Sequence, residues 1–287
     1  VSVLLLLAAG AAADPWAIPA PNGAELFLVL QDSERSYTLT PHDKVAEEAD
    51  GKERIDPPLP AADREATEAC RALVAAGSHE EAEARLAELL ARNAANHDAR
   101  MLVALSLHRR GLHAEALAAL RESLIGNRRN PEGWKLLEEV ARKLGRKVVR
   151  PRLKPRGWVA EGADGTTLAY ADASREADMP WMFYAVARAH YRHEGRFARD
   201  HPGAKEYRFT FREQLFAAGA AVVYAEAQKP AERSADARML LAQKKAKTIV
   251  PFLFFATYPE PLADPPERHF ESLKPILEKY FNENILR

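Results

Sequence analysis

The chain carries a single cysteine, Cys70, so an internal disulfide is excluded. No histidine or second cysteine stands near it at ligand spacing, which leaves a buried thiol as the expectation. Neither sign of charge is in excess: 41 basic side chains face 41 acidic ones, which argues against general attraction to nucleic acid or anionic lipid. Aromatic residues make up only 8%, and the most basic stretch, 146–156, has only Trp158 beside it. A single nearby ring gives little platform for stacking single-stranded bases. Long apolar runs are also missing. The run at 3–9 and the segment 215–225 both fall short of the roughly 20 residues a helix needs to cross a bilayer. No glycine-rich phosphate loop is present, because Gly162, Ala163, Asp164 and Gly165 lack the following lysine and helix. A Gly-x-Ser-x-Gly elbow and a Cys–His nucleophile pair are absent too.

What the chain does have is a period. Gly77, Gly111 and Gly145 follow one another at intervals of 34 residues, the length of one helix–turn–helix repeat that stacks into a solenoid. Gly77, His79, Glu81 and Ala82 recur in register as Gly111, His113, Glu115 and Ala116. Each glycine suits a tight inter-helix turn, where positive φ carries no Cβ penalty. Each alanine is small enough for two helices to approach closely. Leu86 and Leu90, then Leu120 and Leu124, repeat the apolar stripe of a second helix. Before the third glycine, Trp134, Leu137 and Ala141 present a first-helix packing face. Abundant Ala, Leu, Glu and Arg agree with a mainly α protein.

Residues 63–145 resemble the tetratricopeptide repeat family. Trp134, the three glycines, Ala82 and Ala116 occupy its consensus positions, with repeats at 63–96 and 97–130 and a terminal unit from Pro131. Ala66 and Arg100 stand where a tryptophan is usual, and Ala94 replaces the closing proline. The resemblance implies a concave groove lined by first helices. Its positions fall on Arg64, Thr67, Arg71 and Val74, then Asp98, Met101, Leu105 and His108, then Glu132, Lys135, Glu139 and Arg142. That mixture suits an extended peptide or a partner helix. A family variant grips a free C-terminal carboxylate, but its clamp positions here hold Thr67, Arg71, Leu102, Glu132 and Leu136, so only Arg71 is in keeping.

Around the repeats the expectations are looser. The leucine-rich run at 3–9, followed by Ala11, Ala12 and Ala13, reads as an export signal over 1–13, which places the mature protein outside the cytoplasm. Residues 14–60 read as an extended linker with a short hairpin near 25–40. The basic connector at 146–156 holds Pro151 and Pro155 and reads as solvated. A second hairpin is expected near 157–171, and helices over 180–192, 212–228, 234–256 and 267–284 form a small C-terminal bundle within 148–287, with Pro251 interrupting the third.

The expected fold is therefore a short helix–turn–helix solenoid, 61–147, followed by a helical bundle. The expected function is a non-catalytic, exported protein- or peptide-binding scaffold serving an envelope complex, with no cofactor. The alternative is an enzyme whose site lies between repeats and bundle around His190, His193 and Glu194. Those residues do not make the His-Glu-x-x-His pattern of a zinc peptidase, and Arg188, Arg192 and Arg196 crowd them with positive charge.

Overall fold

The computed structural model describes residues 60–161, 167–171, 176–193, 196–200, 207, 209–257 and 270–287. The expected export signal and the hairpin near 25–40 lie outside them. The described residues are mainly helical, with one two-stranded sheet, and divide into two compact units.

The first unit is built on five helices: α1 (Ala61–Ala76), α2 (His79–Arg92), α3 (His97–Arg109), α4 (His113–Gly126) and α5 (Pro131–Lys143). Gly77, Gly111 and Gly145 sit at φ +82, +80 and +69. Each ends its helix with the same pair of backbone bonds. The residue after the glycine donates to the carbonyl five residues back: Ser78 to Leu73, Leu112 to Leu107 and Arg146 to Ala141. The glycine itself donates three residues back, to Val74, His108 and Arg142. A left-handed residue is what satisfies both orphan carbonyls, and glycine adopts it without strain.

Ala82 and Ala116 are fully buried where the helices meet, as are Leu86, Leu102, Leu120 and Leu124. Each such leucine contributes about 1.5–3 kcal/mol of burial. Cys70 lies in this core with Leu86, Leu89, Ala99, Met101 and Leu102. Burial raises its thiol pKa, so it is a packing residue without thiolate character.

After Gly145 the chain does not form a second helix. Val148 and Val149 are β-branched and Pro151 follows, which favours extended backbone. Residues 147–149 instead pair with the C-terminal end: Arg287 donates to Lys147 and Val149 to Ile285, each at 2.8 Å. The last helix, α11 (Phe270–Tyr280, after the five helices of the second unit), runs into a π-turn over Phe281–Ile285. This corrects the expectation of a C-terminal bundle over 148–287. α11 lies against α4 in the first unit, with Lys274 Nζ 3.3 Å from Glu122. The third glycine thus follows a single first helix, and α11 from the far end of the chain lies against α4.

The second unit opens with a hairpin, β1 (Gly157–Glu161) and β2 (Thr167–Ala171), paired antiparallel from Gly157↔Ala171 to Glu161↔Thr167. It lies on α6 (Met179–His193), where Val159, Ala169, Ala185 and Ala189 form the contact. A short α7 (Arg196–Asp200) follows, and then α8 (Phe211–Ala227). α8 is buried nearly all round, as its unbroken apolar run predicts. The helix expected over 234–256 is two helices, α9 (Ala235–Lys245) and α10 (Ile249–Ala256). They break at Lys247, which has φ +57. Pro251 falls in the first turn of α10, where it displaces no helical hydrogen bond. Among the described residues no helix is long and apolar enough to cross a membrane.

Candidate functional site: the first-helix face of the array

The face formed by α1, α3 and α5 carries the residues singled out by the 34-residue register. At its centre Arg71 on α1 reaches α5, with Nη1 3.8 Å from Glu132, and it also meets Glu68 at 3.3 Å. Asp98 on α3 is half-buried beside them. Burial raises its carboxyl pKa above the usual value, Arg71 pulls it down, and Glu132 and Glu68 push it up further. Three successive first helices thus place one guanidinium among three carboxylates.

Further along, Leu105 and His108 are half-buried on α3, Glu139 is half-buried on α5, and Lys135 and Arg142 are exposed there. Arg64 is exposed near the start of α1. Three of the singled-out residues, Thr67, Met101 and Val74, do not reach the surface. Thr67 is 3% exposed: its hydroxyl donates to the Asp63 carbonyl at 2.7 Å and accepts from Asn96 Nδ2 at 3.0 Å. Met101 is 4% exposed, and its sulfur accepts from Asn130 Nδ2 at 3.2 Å. Burial takes Thr67 and Met101 out of the expected groove lining, since each is held by the asparagine that begins the next first helix. Val74 is buried as well.

Those asparagines are functional parts of the scaffold that the glycine register left aside. Asn96 caps α3 by accepting from Ala99 N at 2.9 Å, and Asn130 caps α5 by accepting from Gly133 N at 3.0 Å. Each therefore starts one repeat with its oxygen and holds the preceding one with its nitrogen. They stand 34 residues apart, and Asn93 and Asn127 repeat the same interval three residues earlier.

A serine, a histidine and a carboxylate do meet in the array, without the polarity of a nucleophilic triad. Ser106 Oγ donates to Glu83 Oε1 at 2.7 Å and lies 3.1 Å from His79 Nδ1. Because the serine proton is committed to the carboxylate, the imidazole is the donor to Ser106 and takes no proton from it. Arg110 Nη1 completes the cluster on Glu83 at 2.6 Å. Ser106 is fully buried, so these contacts tie α2 to α3.

Of the three residues named for the alternative enzymatic reading, only His190 has a described side chain. His190 is 5% exposed, and its ring stacks on Phe216 with centroids 6.4 Å apart. Glu194 lies outside the described residues. Next to His190 on the same helix, Arg188 is committed to Glu213 at 2.8 Å in an almost fully buried pair. Tyr207 Oη also donates to Glu213, at 2.7 Å. Among the described residues no group of three or more His, Cys, Asp or Glu side chains could hold a metal ion. The basic connector is occupied structurally: Arg146 donates to the Leu286 carbonyl at 2.9 Å, Arg150 lies over Trp134, and Arg156 pairs with Asp178 at 3.0 Å.

Comparisons with protein-family models, curated proteins and solved structures find no match to this chain.

Proposed function

We propose that the protein is a non-catalytic, exported scaffold that binds a protein or peptide segment on the first-helix face of a short tetratricopeptide-like array. The observation that carries this reading is the convergence of Arg71, Asp98 and Glu132 from three successive repeats. A face built from three helices with alternating charge beside a half-buried Leu105 offers an extended or helical segment both ion pairs and an apolar contact. Peptide amides and side chains would replace the water around Asp98 and Arg71, and Leu105 would supply an apolar contact. With two and a half repeats the surface is short, so modest affinity is expected. The leucine-rich run at 3–9 supports the extracytoplasmic setting, where an envelope complex would be the partner.

Arg71 stands among Glu68, Asp98 and Glu132, so reversing its charge would crowd four carboxylates together. Neutral substitution is the cleaner test. An Arg71→Ala, Arg142→Ala double variant keeps the helical spectrum, because exposed pairs contribute only about 0–1 kcal/mol. In a crosslinking pull-down it loses the extracytoplasmic partner captured by the unsubstituted protein. Undiminished capture by the folded variant sinks the proposal.

A further inference from the structure

The turn between α3 and α4 brings two imidazoles together. His108 lies in the last turn of α3, Gly111 turns the chain with φ +80, and His113 opens α4. Their Nδ1 atoms are 3.2 Å apart, the ring centroids 5.0 Å, and the ring planes are inclined at 44°. Both side chains are half-buried and open to solvent on one side.

In the absence of any ion the two rings share one Nδ1 proton. The same separation is also a chelate bite. Two imidazole nitrogens on one tetrahedral zinc ion, each about 2.0–2.1 Å from it, lie about 3.3–3.4 Å apart. We propose that His108 and His113 form an open, two-imidazole site for a first-row divalent transition metal such as zinc, with the remaining positions left to water or to a side chain of the bound segment. Neutral imidazole is the preferred donor for this class of ion. Binding moves one ring's proton from Nδ1 to Nε2 through solvent and requires no net proton release when both rings are neutral. The backbone makes the two rings neighbours: the Gly111 turn is closed by Leu112 donating to Leu107 and Gly111 to His108. Little ordering is therefore left for the metal to impose.

The charges around the pair set its strength. Glu139 on α5 favours positive charge at His108, whereas Lys143 and Arg109 oppose it. An affinity well below that of an enclosed four-ligand site follows. The site is particular to the second repeat. In the first, the position of His113 holds His79, but that of His108 holds Val74, and His79 Nδ1 faces Ser106 instead.

The test is calorimetric titration of the full, chelator-treated chain with zinc chloride, with cobalt(II) absorption as a second readout. One saturable site is expected, weakened about tenfold or more by His108→Ala and by His113→Ala, and retained in His79→Ala. His108→Asn and His113→Asn, which keep polar side chains at the turn, provide folded variants if the alanines melt early. The proposal is overturned if the folded protein binds no zinc or cobalt, or if binding survives both substitutions and so belongs to another histidine.

Discussion

Asp63 is a carboxylate whose fold role can be read in its partners. Its side chain, 8% exposed, accepts from Asn93 Nδ2 at 2.9 Å and from Arg92 Nη2 at 2.9 Å. The Asn93 hydrogen bond is the main reason its pKa lies below the usual carboxyl value. Burial opposes that shift, and Arg92 adds to it. A depressed folded-state pKa means that Asp63 stabilises the array above the unfolded value of about 3.9, and that this contribution is lost as pH falls through the folded value. Urea melts from pH 6 to pH 2 should therefore show Asp63→Asn less stable than the parent at pH 6 and the difference shrinking in acid. A constant difference across that range contradicts the assignment. In the second unit Arg188 and Glu213 pose the converse problem, since removing one partner strands a charge. Arg188→Met should cost about 3–5 kcal/mol by denaturant melting, and adding Glu213→Leu should recover much of that loss. None of these partners was legible in the sequence. Asp63 and Asn93 are 30 residues apart, and nothing in the local pattern pairs them.

At the scale of the element, the turns were the most legible feature and the last helix the least. Three glycines at one interval predicted three left-handed helix ends, because few other residues tolerate that backbone. α11 carries a stripe of Leu273, Leu277 and Tyr280, all buried. A stripe specifies that a face is covered without saying by what, so its place beside α4 could not be read. Pro251 misled for a related reason: a proline marks either a break or a first turn, and only the position of Lys247 decides between them. The asparagines at 96 and 130 could have been found, since they share the glycine period. They also differ in a measurable way. Asn96 holds a hydroxyl and Asn130 a thioether, which is the weaker acceptor. Asn96→Ala should lose about 2–3 kcal/mol, cap and buried hydrogen bond together, and Asn130→Ala about 1–2 kcal/mol. Equal losses in urea melts would show that only the caps matter.

For the whole molecule, the repeat period accounts for one of the two compact units. The array gains a closing helix from the far end of the chain, and its first-helix face stays lined by Arg71, Asp98, Leu105, His108, Glu139 and Arg142. Thr67 and Met101 were read as part of that face because a periodic register predicts direction and cannot see what covers a side chain. In the second unit buried polar pairs, Arg188 with Glu213 and Tyr184 with Gln214, commit those four side chains to packing. The proposal places binding on the array. The most direct measurement of that claim is site-specific photocrosslinking from the full chain. A photoreactive phenylalanine analogue at Leu105 on the first-helix face is compared with one at Ala118 on α4. The account predicts that Leu105 crosslinks the captured segment, that Ala118 does not, and that Arg71→Ala with Arg142→Ala abolishes the Leu105 product. Crosslinking from Ala118 alone would contradict it and place the working surface on the second helices.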